Sequence, residues 1–75
     1  MIIWVMHSLA EGENENWFFE GAFRTMGKAL QTAIETETED HGIAKITESY
    51  VSPVGNYARY TINGDEYEIS STTIQ

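Results

Sequence analysis

The dipeptide Asn63-Gly64, set between two short runs of alternating apolar and polar residues, constrains this chain more than any other feature. A two-residue type I′ turn needs positive φ at both central positions, and Asn-Gly is a pair that tolerates it. Placing the turn there fixes a register: Ile62 faces Asp65, Thr61 faces Glu66, Tyr60 faces Tyr67, Arg59 faces Glu68 and Ala58 faces Ile69. In that register Ala58, Tyr60, Ile62, Tyr67 and Ile69 share one face, and Arg59, Thr61, Glu66 and Glu68 share the other. Arg59 and Glu68 form a cross-strand pair of opposite charge, worth about 0.2–1 kcal/mol. Turn chemistry and hydropathy pattern thus agree on an antiparallel hairpin of 57–62 with 66–70, one face of which must be covered.

The cover is supplied by the stretch from Thr25 to Asp40. Met26, Ala29, Leu30, Ala33 and Ile34 recur at helical spacing, so this segment is predicted as a helix with one apolar stripe. Thr25 is a good N-cap, and the helix is expected to stop near His41-Gly42, where glycine supplies a left-handed residue. Ile2–His7 is β-branched and aromatic and reads as a strand, apolar at nearly every position and so central or covered on both faces. Glu11–Asn16 is a polar turn cluster. Two readings compete for Trp17–Phe23: a strand pairing back on the first, or an early start of the helix capped by Asn16. The helical reading places Gly21 and Gly27 inside a helix at about 1 kcal/mol each, which favours the hairpin. Ile43–Val51 reads as a further strand, closed by a turn at Ser52–Gly55, while Ser71–Gln75 either continues the last strand or frays. The sum is β-β-α-β-β-β: a single α+β domain over 1–75, an antiparallel sheet of four to five strands with one helix packed on one face.

At 75 residues without a cysteine, the fold has neither a disulfide nor a Cys-based zinc site to hold it, and must rest on packing. Nine aromatic side chains make that feasible. The apolar start, Met1–Met6, is too short for a membrane span and has no basic flank, so an intracellular protein is expected. Twelve acidic residues against four Lys and Arg give a net charge of −8. Phosphate backbones are bound by clustered Lys and Arg, so direct binding to nucleic acid or to an anionic membrane is disfavoured, whereas a basic protein partner is suited.

Candidate chemistry is sparse. His7 and Ser8 are neighbours on a strand and point to opposite faces, which argues against a nucleophile–base pair. Glu37–His41 collects carboxylates with an imidazole, a composition able to hold a metal weakly, but no H-E-x-x-H spacing is present. Glu11, Glu13 and Glu15 superficially resemble a calcium loop, yet the sixth position is Asn16 and the twelfth Ala22. No phosphate-binding glycine loop occurs, and most carboxylates fall in predicted loops or at a helix end, where solvent screens them. The sequence therefore predicts no enzyme activity, no cofactor and no metal.

Two features point to an interaction surface. Glu35, Glu37, Glu39 and Asp40 lie toward the C-terminal end of the predicted helix, where the macrodipole is already negative and acids are slightly unfavourable. Apolar side chains are also too many for a sheet covered on one face. Strand 1 puts Ile2, Trp4 and Met6 on one face and Ile3, Val5 and His7 on the other, and Phe18 points away from Trp17, Phe19 and Phe23. Trp4, Met6 and Phe18 are accordingly candidates for an exposed patch suited to a homodimer or a protein partner.

The segment Gly21-Ala-Phe-Arg-Thr25 followed by Ala29 resembles the G-x-F-x-[ST]-x-x-x-A hairpin-to-helix junction of many small phage-encoded proteins. The plan of an acidic miniature domain with one helix on an antiparallel sheet is similar to that of some anti-CRISPR proteins and other phage inhibitors of host machinery. The resemblance implies a protein inhibitor acting in the bacterial cytoplasm. Acidic inhibitors of this kind occupy nucleic-acid-binding surfaces of their targets, with carboxylates in place of phosphates. The residues available for that part are Glu11, Glu13, Glu15, Glu35, Glu37, Glu39 and Asp40, and their contribution depends on whether the two acidic segments lie side by side. The expected function is thus inhibition of a host nucleic-acid-handling complex, such as a CRISPR effector, through acidic surface residues. The alternative is a small structural or adaptor domain that homodimerises through an apolar sheet face.

Overall fold

The computed structural model describes residues 1–74. Strand β1 (Ile2–Leu9) and strand β2 (Phe18–Phe23) are followed by helix α1 (Met26–His41), then by β3 (Ile46–Val51), β4 (Tyr57–Ile62) and β5 (Asp65–Thr73). The five strands form one antiparallel sheet in the order β2-β1-β5-β4-β3, and α1 packs on one face of it. This is the α+β arrangement expected from the sequence.

The β4–β5 hairpin has the register that Asn63-Gly64 implies, from Ala58 opposite Ile69 to Ile62 opposite Asp65. Asn63 and Gly64 both have positive φ, 53° and 88°. On the face away from the helix, the Arg59 guanidinium lies 3.3 Å from the Glu68 carboxylate, which also accepts a hydrogen bond from Tyr57 Oη at 2.9 Å. Position 64 is also crowded, because the Glu11 side chain lies where a Cβ would be placed. Gly64→Ala is therefore expected to cost about 1–2 kcal/mol from its left-handed backbone and to push Glu11 aside, measurable by urea unfolding.

The helix begins where its N-cap predicts. Thr25 Oγ1 accepts from the Lys28 N–H at 3.1 Å. At the other end Gly42, at φ 78°, donates its N–H to the Thr38 carbonyl at 2.7 Å. The stripe supplies Ala29 and Ala33, both fully buried, whose small side chains let the helix approach the sheet closely. They meet Met6 of β1, Ala58 and Ile62 of β4, and Tyr67 and Ile69 of β5. Trp4, Phe23, Met26, Leu30, Ile34 and Tyr60 close the margins of this core.

Of the 17–23 segment, Phe18–Phe23 forms a strand, but its pairing with β1 is not regular. Met6 pairs with Gly21 while His7 pairs with Phe19, so Glu20 is an extra, bulged residue. A bulge reverses the alternation of faces along one strand. Phe23 opposite Trp4 and Phe18 opposite Ser8 consequently share the helix side, although five positions separate them. The expected separation of Phe18 from Phe23 is overturned for that reason.

The apolar strand β1 is internal, as its composition predicts, and pairs with β5 from Ile2–Thr73 to Leu9–Glu66. Pairing with β1 carries β5 through Thr73, beyond the expected end at Ser70; residue 75 lies outside the described residues. Strand β3 begins at Ile46, three residues later than expected. Residues 43–45 are held by Asn63 instead: its side chain donates to the Ile43 carbonyl at 2.7 Å and accepts from the Lys45 N–H at 3.1 Å, and its backbone N–H donates to the Lys45 carbonyl at 2.9 Å. The turn residue that fixes the hairpin also anchors the chain leaving the helix.

Candidate partner-binding cleft

The 10–17 loop, the bulged end of β2, the last turns of α1 and the start of β5 surround a cleft of about 410 Å³. Glu13 and Asn16 line it from the loop, where the Asn16 amide donates to the Glu13 carboxylate at 3.3 Å. Phe18 and Glu20 line it from β2, and Glu20 accepts a hydrogen bond from Ser8 Oγ at 2.5 Å. Thr36, Glu37 and Asp40 contribute from the helix, and Asp65 and Tyr67 from β5. Five carboxylates thus face one space, and none of the lining residues is Lys or Arg. The loop is tied to the sheet through the Glu11 N–H, which donates to Asp65 Oδ1 at 2.9 Å.

The two acidic segments of the sequence therefore meet, Glu13 from one and Asp40 from the other, and the sheet adds Glu20 and Asp65. Glu11 and Glu15 are exposed on the loop, and Glu35 and Glu39 are exposed on the helix outside the cleft lining. Glu20 and Asp65 were not legible as members of this group. Glu20 arrives through the bulge, whereas the hairpin register already placed Asp65 opposite Ile62, on the face that the helix covers.

Glu37 differs from its acidic neighbours and corrects the expectation of a surface contact residue. Its side chain is 2% exposed, accepting from Tyr67 Oη at 2.5 Å and from the Asn63 amide at 3.2 Å. His41 Nε2, one turn on, is 3.6 Å from the same carboxylate. Burial raises the Glu37 carboxyl above its ordinary range and the nearby Asp65 carboxylate reinforces this, while the hydrogen bonds from Tyr67 and Asn63 pull it down. Burial and the Glu37 carboxylate likewise hold the Tyr67 phenol well above the usual tyrosine range. A buried acid of this kind is not among the expectations from the sequence. The signal was present: Glu37 follows Ala33 by four and Ile34 by three, and so continues the apolar stripe.

The patch of Trp4, Met6 and Phe18 is also corrected. Met6 is 1% exposed and belongs to the core, and Trp4 packs against that core, since their face of β1 is the one the helix covers. Phe18 alone is exposed, at 68%, on the rim of the acidic cleft. His7 and Ser8 diverge as adjacent strand residues must: the His7 ring meets Phe19 edge-on with centroids 5.6 Å apart, and Ser8 bonds Glu20.

No protein-family model matches this chain, and neither does a curated protein nor a solved structure.

Proposed function

We propose that this protein is a phage-type inhibitor that occupies a basic, nucleic-acid-handling surface of a host protein complex through the carboxylates in and around the cleft. The observation that supports this reading is the meeting of Glu13 from the loop and Asp40 from the helix end, with Glu20 and Asp65 from the sheet, in one concavity without a lining Lys or Arg. A concave surface of one charge sign concentrates field and favours encounter with oppositely charged side chains. Phe18 on the rim adds an aromatic face against which an arginine of the partner can stack. The contact residues are Glu11, Glu13, Glu15, Glu35, Glu39 and Asp40, with Glu20 added and Glu37 withdrawn to a structural role.

A fourfold reversal, Glu13→Lys, Glu15→Lys, Glu39→Lys and Asp40→Lys, tests the proposal on exposed positions only. The tagged wild-type protein is expected to capture a nucleic-acid-handling complex from bacterial lysate, with recovery falling steeply as salt rises and the Debye length shrinks below about 10 Å. The reversed variant, with unchanged circular dichroism, is expected to lose at least about tenfold in affinity, which needs only about 1.4 kcal/mol over four charges. Equal capture by the reversed variant would show that the acids do not form the contact.

A further inference from the structure

Beside the cleft, the end of α1 and the start of β5 bring together three side chains of mixed donor type. Glu37 and His41 are spaced i, i+4 and therefore share one face of the helix. Asp65 reaches them from the first residue of β5, just after the Asn63-Gly64 turn. One carboxylate oxygen from each acid and one imidazole nitrogen lie within 4.8 Å of one another. We propose that Glu37, His41 and Asp65 form a binding site for a single divalent transition-metal ion of the Zn²⁺ type, which joins the helix end to the hairpin.

The arrangement differs from a solvated acidic surface in three respects. Its donor set is two carboxylates and an imidazole, a combination suited to borderline transition metals rather than to Mg²⁺ or Ca²⁺, which prefer oxygen alone. Its central ligand is built in, because Glu37 is buried and oriented by hydrogen bonds from Tyr67 and Asn63, the outer-shell pattern that holds metal-ligating carboxylates. The site also lacks a Lys or Arg counter-ion. Neutral donors satisfy the Glu37 oxygens, Asp65 lies beside them, and no Lys or Arg side chain forms an ion pair with either acid among the described residues. Two carboxylates gathered beside an imidazole, without a Lys or Arg partner, offer a cation three converging donors.

Access and geometry fit as well. Glu37 and Asp65 both line the cleft, which leaves room for water in the remaining coordination positions. Tetrahedral donors at about 2.0–2.2 Å from the metal lie about 3.4 Å apart, so donors now within 4.8 Å of one another must draw together by up to about 1.4 Å. Glu37 is fixed, whereas His41 is exposed and Asp65 only half-buried, so those two supply the movement. This inference is independent of any partner.

The test is titration of the chelator-stripped, full-length protein with ZnCl₂, followed by calorimetry and by NMR of the two histidines. The expected result is one ion bound per chain, with the His41 ring resonances shifted, those of His7 unmoved, and a melting temperature raised by several degrees. His41→Ala removes an exposed ligand without touching the core, and Asp65→Asn keeps an acceptor for the Glu11 N–H. Each is expected to weaken binding at least about tenfold, the loss usual for a ligand or its outer-shell partner. Absence of saturable binding at millimolar ZnCl₂ would overturn the proposal. So would binding that both variants retain at full strength, or a shift confined to His7.

Discussion

Ile69→Ala is expected to cost about 2–5 kcal/mol of folding free energy, the range for truncating a fully buried aliphatic side chain. Ile69 has no solvent exposure, and its strand lies in the middle of the sheet, paired with Met6 on one side and Ala58 on the other. Neither neighbour can fill the space: Ala58 is too short, and Met6 is already enclosed. Folded domains hold about 0.05–0.15 kcal/mol per residue, hence about 4–11 kcal/mol for a chain of this length. The substitution therefore removes a large share of the total. A domain this small loses about 4–8 °C of melting temperature per kcal/mol, so a fall of about 10–40 °C is expected by calorimetry. Val54→Ala is the matched control, because Val54 is 80% exposed in the β3–β4 turn and its loss should stay within about 0.5 kcal/mol. Similar melting temperatures for both variants would mean that the helix does not close over β5 as described.

The sequence was most informative where the determining forces are local. Asn63-Gly64 sets its turn through backbone sterics alone, and the register of β4 with β5 follows by counting. Thr25, Gly42 and the 26–34 stripe mark the helix through capping and a 3.6-residue period, again within a few residues. Features that depend on contacts between distant segments were hidden. The bulge at Glu20 reverses the faces of β2, and nothing in Phe18-Phe19-Glu20-Gly21 signals whether an extra residue will be accommodated. Strand β3 starts late because the Asn63 side chain claims residues 43–45, a contact across eighteen positions. The sequence does not say which side of β1 the helix selects, and so does not distinguish an open face from the core for Met6 and Trp4. Glu37 is the instructive case: an acid on a core stripe is readable as position but not as fate, since the distant Tyr67 and Asn63 supply the hydrogen bonds that make its burial tolerable.

Glu37→Gln is expected to change the pH dependence of stability rather than simply lower stability. Four groups face this side chain: Tyr67 and Asp65 from β5, Asn63 from the turn and His41 from its own helix. Burial raises the folded-state carboxyl above its ordinary value of 4.5. The native protein consequently holds that proton more tightly than the unfolded chain does. Stability from protonated Glu37 is complete below the ordinary value and is lost as pH rises through the raised one. Glutamine cannot titrate, so the melting temperature of the variant, measured against wild type in chelator, is expected to gain ground across that window and then level off. Most other carboxylates titrate alike in both proteins and cancel in the difference. Tyr67→Phe acts on the same window from the opposite side. The phenol donates to the Glu37 carboxylate and helps to hold it ionised, so its loss moves the window to higher pH. Above that window, removing this donor from the buried carboxylate is expected to cost about 1–3 kcal/mol. A Glu37→Gln difference that stays flat at every pH above the ordinary value of 4.5 would place the carboxyl in contact with water rather than buried between Tyr67 and Asn63.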